Sequence, residues 1–132
     1  MRRLSFVVLF GLVAGFWINP IGAIADEKKA EMTESTLEGR LIDLMCYTMG
    51  MIGDKHTKCA LQCAQKGLPV GLLEAKTEKV YTVLLPSPGL ASYVEKTVRI
   101  TGKIHKETLL APSKMEVREG DIWKAVKLPS AM

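Results

Sequence analysis

The chain has 132 residues, with 18 Lys and Arg against 14 Asp and Glu, a formal charge of +4, and only 3 cysteines and 2 histidines. That length supports one compact domain with a modest core and excludes two. The positive charge is no nucleic-acid footprint, because Arg2 and Arg3 sit in an export segment and without them 16 basic residues face 14 acidic ones, a balance of +2.

Residues 1–25 read as a signal peptide. Arg2 and Arg3 form a basic start, an apolar run extends from Leu4 to Trp17, and Ala23-Ile24-Ala25 fits a small-residue cleavage site. Leu4-Ser5-Phe6 displaces the phenylalanine expected of a twin-arginine signal, so the general secretory route is the expected one. The alternative is an uncleaved anchor, since the run approaches the roughly 20 residues that cross a bilayer, although Asn19-Pro20 interrupts it. Either way the expected location is periplasmic or secreted, and nucleic acid is not an expected partner.

Residues 26–36 are charged and small and read as a flexible spacer, which leaves 37–128 as the folded domain. Leu37, Leu41, Ile42 and Leu44 predict a strand with a bulge or bend at Gly39, delivering Cys46 just beyond its end. A glycine-punctuated loop follows over Met49–Gly53. Asp54 is the expected N-cap of a helix running to about Lys66, and Gly67 stands where a left-handed C′ residue is wanted. On that helix His56, Cys59 and Cys63 share an arc of about 60° at ~100° per residue. Ala60, Leu61 and Ala64 form the adjoining apolar sector, so the cysteine face borders the core.

Pro69–Leu73 and Lys79–Leu85 read as a hairpin around Lys76-Thr77-Glu78. After the breaker Pro86-Ser87-Pro88-Gly89, Leu90–Lys96 predicts a short helix or helical turn. Thr97–Lys106 alternates, with Val98, Ile100, Gly102 and Ile104 on one face and Thr97, Arg99, Thr101, Lys103 and His105 on the other. Lys114–Lys127 predicts a bent strand or strand pair turning at Glu119-Gly120-Asp121, with Trp123 and Val126 as core candidates. The sum is a mainly β fold, a small OB-like five-stranded barrel with a short Cys/His-bearing helix inserted after the first strand; a small open β-sandwich would give a similar pattern.

All three cysteines and one histidine fall between Cys46 and Cys63. The order His-x-x-Cys-x-x-x-Cys excludes covalent c-type haem, which needs Cys-x-x-Cys-His. Cys46, His56, Cys59 and Cys63 form a candidate Cys₃His metal site for one ion, either Zn²⁺ as a structural clamp or copper as cargo or cofactor. Met45, Met49 and Met51 around Cys46 favour copper, though each is equally a gap-filler under a loop. An iron–sulfur cluster is less expected in an exported chain.

Two alternatives stand beside the metal site. Two of the cysteines can form a disulfide and leave one thiol over, which makes the domain a disulfide-stabilised binding module for a partner protein or glycan. Or Cys59, in the first turns of its helix, can serve thiol–disulfide redox chemistry, although the Cys-x-x-Cys spacing is absent. No Ser/His/Asp elbow, phosphate-cradling glycine loop or H-E-x-x-H motif is present, so a binding role is favoured over catalysis. His105, on the polar face of its strand, reads as a solvated histidine.

The segments Asp43-Leu44-Met45-Cys46-Tyr47, His56-x-x-Cys59-Ala60-x-x-Cys63, Gly67-Leu68-Pro69-Val70-Gly71-Leu72-Leu73 and Val98-Arg99-Ile100-Thr101-Gly102-Lys103-Ile104 resemble a family of small exported bacterial proteins. The resemblance covers roughly Leu37 to Val117. It implies an OB-like fold and a site at the cysteines and names no reaction; separately, a metal-carrying role makes a periplasmic or membrane-associated protein an expected partner.

Overall fold

A computed structural model describes residues 32–130, so the expected signal peptide and most of the spacer lie outside the described residues. The first strand, β1 (Thr33–Asp43), begins earlier than the spacer reading allowed. Thr33–Thr36 carries no apolar side chain, but its backbone pairs antiparallel with β4 (Thr97–His105), register Thr33↔Ile104 to Arg40↔Thr97, and this ladder orders it. The other half of β1, Gly39–Asp43, pairs with β2 (Val70–Glu74).

β2 turns back into β3 (Val80–Val83) through the expected polar hairpin. β4 pairs with β5 (Leu109–Glu119), which ends in a hairpin with β6 (Ile122–Val126). The sheet order is β3-β2-β1-β4-β5-β6, and a short parallel pairing of β3 with β5, Thr82↔Leu109 and Val83↔Leu110, closes the first five strands into a barrel. The architecture is mainly β and OB-like, as expected, with β6 appended outside the closure.

Helix α1 (Leu44–Thr48) and helix α2 (Thr57–Gln65) lie between β1 and β2, and a 3₁₀ segment (Ser87–Tyr93) lies between β3 and β4. The core is aliphatic: Leu41, Leu72, Leu90, Val98, Ile100 and Leu110 have no exposed surface, and Cys46, Ala60 and Ala64 belong to the same cluster. Each leucine or isoleucine buried in this way contributes about 2 kcal/mol. Val98, Ile100 and Gly102 of β4 face inward, as their alternation predicted.

Three local readings change, and one turn carries no sequence signal. Gly39 is not a bulge, since β1 keeps register through it; a Cβ there would run into the Leu73 carbonyl, so glycine is needed for close backbone approach. β5 starts at Leu109, five residues earlier than expected, because Pro112 is accommodated at a register shift opposite Thr101/Gly102. The β4–β5 turn uses Lys106 and Glu107 at positive φ, 45° and 66°, without the Asn or Gly that usually marks such a turn. Trp123 is not a core residue: it is half-buried, with the Arg99 guanidinium 4.4 Å from its ring centre and that of Arg118 at 6.0 Å.

Candidate metal centre

The strand β1 stops at Asp43 because that residue turns its side chain to the backbone. Its carboxylate Oδ1 accepts from the Cys46 N–H at 2.8 Å, capping α1 and fixing Cys46 one turn into the helix. The Cys46 carbonyl then accepts from the amides of both Met49 and Met51, at 3.1 and 2.9 Å, which folds the following loop back over the same residue. Further on, the Gly53 N–H donates to Glu95 Oε2 at 2.8 Å, and that oxygen also meets Arg40 at 3.4 Å. The loop is therefore tied to Cys46 at one end and to a buried carboxylate at the other.

The expected single helix from Asp54 is divided. Asp54–His56 forms a 3₁₀ turn whose N-cap is Gly53, and the Asp54 side chain makes no capping bond; α2 proper begins at Thr57 with His56 as its uncapped N-cap residue. The other end matches the expectation. Gly67, at φ +90°, and Leu68 return their amides to the carbonyls of Ala64 (3.0 Å) and Cys63 (3.1 Å), a Schellman closure. Ala60 and Ala64 have no exposed surface, and α2 packs mainly on the Ser87–Tyr93 segment, the small side chains allowing close approach.

This framework brings three of the four expected donors together. The Sγ atoms of Cys46, Cys59 and Cys63 all lie within 4.8 Å of one another, and Cys46 Sγ is 3.8 Å from Cys59 Sγ. All three are free thiols. His56 does not join the group. His56 stands in the tighter 3₁₀ turn, before the α-helical register shared by Cys59 and Cys63 begins, and so falls off the expected common arc.

The three thiols differ in environment. Cys46 is 1% exposed, Cys63 is half-buried and Cys59 is open to solvent. Burial, and then the Asp43 carboxylate beside it, pushes the Cys46 thiol far above its ordinary range, with smaller contributions from Cys59 and Cys63. A cation among the sulfurs reverses that balance, since its charge favours the thiolate. Asp43 is 1% exposed and its second oxygen, Oδ2, is buried without a hydrogen-bond partner. The cysteine spacing revealed the donors but not Asp43; the signal available for it was an Asp at the end of an apolar strand, a standard N-cap type.

A groove of about 360 Å³ lined by Arg40, Ile52, Leu73, Glu74 and Glu78 lies beside β1 and β2, and none of the thiols opens into it. His105 is half-buried on β4 and is outside the thiol group. No helix among the described residues is long and apolar enough to cross a membrane. In comparisons with known proteins, the chain shows no significant match to a family model, a curated protein or a solved structure.

Proposed function

We propose that this chain is an exported, periplasmic metal-binding protein that holds one ion on the thiolates of Cys46, Cys59 and Cys63. The observation that carries the reading is the convergence of three sulfur donors from two helices. Thiolate sets of this kind select soft or borderline ions such as Zn²⁺ and Cu(I). Zinc would need a fourth ligand, supplied by His56 after a shift of the 3₁₀ turn or by water; copper in its reduced state would not. The signal peptide, the periplasmic location, membership of the exported bacterial family and a periplasmic partner protein that receives or needs the ion belong to the same proposal.

A second reading has its own support. Cys46 and Cys59 sulfurs 3.8 Å apart need little movement to reach the ~2.05 Å of a disulfide, and an exported protein meets oxidant. That form would leave Cys63 as the spare thiol and make the domain a disulfide-held binding module or a redox protein. Metal analysis of the purified protein with parallel thiol counting separates the two. One equivalent of metal with three thiols released by chelation supports the site, and one thiol with no metal supports the disulfide.

A further inference from the structure

We infer that the ion is Cu(I), carried as cargo by the three thiolates and passed to an acceptor thiol by ligand exchange at Cys59. The inference rests on the metal-binding reading and deepens it.

Three observations carry it. The first is the donor set: the assembled group contains three sulfurs and no nitrogen, while His56 remains outside. Tetrahedral zinc is left one ligand short by such a set, whereas Cu(I) is satisfied by soft sulfur donors.

The second is that both helices are attached to the barrel by contacts that do not involve the thiol group. Cys46 is fixed by the Asp43 cap and by its place in the core; α2 is fixed by buried Ala60 and Ala64 and by its Schellman closure. A structural clamp joins elements that otherwise lack attachment, as in small zinc domains that unfold without metal. Here both helices are already attached, so the ion is not needed as a clamp.

The third is the gradient of exposure across the three sulfurs. Cys46 anchors the buried side and Cys59 faces solvent. An incoming thiol therefore meets the ion first from the Cys59 side, the most exposed of the three sulfurs. In the exchange the incoming thiol loses its proton to water as its sulfur bonds to copper, the Cys59–copper bond breaks, and the Cys59 thiolate takes up a proton; a second acceptor thiol then displaces Cys63 and Cys46 in the same way, and each released thiolate is reprotonated as copper leaves. Copper stays Cu(I), so no oxidant or reductant takes part.

The test uses the purified, reduced protein under anaerobic conditions. Cu(I) is delivered against a chromogenic Cu(I) chelator, Co²⁺ serves as the spectroscopic probe for a zinc-type site, and glutathione serves as the acceptor thiol. The expected result is one Cu(I) per chain, an X-ray absorption spectrum fitted by sulfur alone, unchanged affinity in His56→Ala, and a transfer rate that rises linearly with glutathione. A tetrahedral Co²⁺ spectrum with His56→Ala weakening Co²⁺ and Zn²⁺ binding by more than the ~100-fold upper end of outer-shell losses would overturn it in favour of a Cys₃His zinc site. A transfer rate independent of glutathione would overturn the exchange at Cys59. Failure of both Cu(I) and Co²⁺ to bind would instead remove the underlying metal-binding reading.

Discussion

Asp43 links the barrel to the thiol group, and replacing it tests that link quantitatively. Asp43→Ala deletes the oxygen that accepts from the Cys46 amide at 2.8 Å, inside a region where both residues are 1% exposed. An N-cap lost at an exposed helix end costs about 1 kcal/mol, and an amide left unpaired in the interior moves the cost toward ~2 kcal/mol. In a domain of about a hundred residues that is a fall in Tm of roughly 10 °C. Asp43→Asn behaves differently: it keeps the accepting oxygen and removes a buried charge whose second oxygen, Oδ2, has no partner. Its stability is expected within about 0.5 kcal/mol of the parent, because Asn and Asp are equivalent caps. Urea unfolding of the metal-free, reduced proteins, followed by circular dichroism, measures all three. If Asp43→Asn lost as much stability as Asp43→Ala, the charge and not the capping bond would be the contribution of Asp43, and the account of how Cys46 is positioned would be wrong.

Timed alkylation of the metal-free protein should modify Cys59 first, Cys63 next and Cys46 last, following their exposure; early labelling of Cys46 in the native state, read by peptide mass spectrometry, would contradict its burial. The Arg99 guanidinium, with help from Lys114, holds the Glu116 carboxyl below its ordinary value of 4.5, so this pair stabilises the fold above that pH and its contribution fades as pH falls through the lowered value. Acid unfolding of Glu116→Gln should therefore show a smaller loss of stability below about pH 4.5 than the parent, and an identical acid profile would remove the pair from the account. Gly39→Ala should cost more than ~3 kcal/mol or abolish folding, since its Cβ meets the Leu73 backbone of a paired strand that cannot yield; a Tm within a few degrees of the parent would show that β1 and β2 can separate there.

The parts of the fold that the sequence made legible are those where one local signal dominates. The alternation of Val98, Ile100 and Gly102 defines the inner face of β4, and Gly67 marks the end of α2 because a left-handed residue is required there. The start of β5 was hidden for the opposite reason. Pro112 argues against a strand, and only its position at a register shift in the ladder makes it acceptable. Thr33–Thr36 is a strand because β4 offers partners, which no pattern of side chains could show.

The site divides in the same way. Cys46, Cys59 and Cys63 were identifiable from residue type and spacing, and the helical arc placed Cys63 beside the core, whereas Cys59, expected on the same core-bordering face, is open to solvent. His56 was assigned to the same arc by extending an α-helical register over a segment that winds as a 3₁₀ turn. Asp43 and Glu95 escaped notice because their roles depend on burial: one caps α1 beneath Cys46, and the other holds the Gly53 amide from across the chain. Trp123 looked like core by composition and instead stacks against arginines, where a flat ring satisfies two cations that the barrel interior could not accept.

The central claim is that three thiols hold one metal ion, and native mass spectrometry of the purified, reduced protein tests it most directly. The account predicts one bound ion per chain, displacing thiol protons, with all three cysteines protected from alkylation until a chelator is added. A metal-free mass that is two hydrogens light after purification without reductant, together with no ion taken up after reduction, would contradict it.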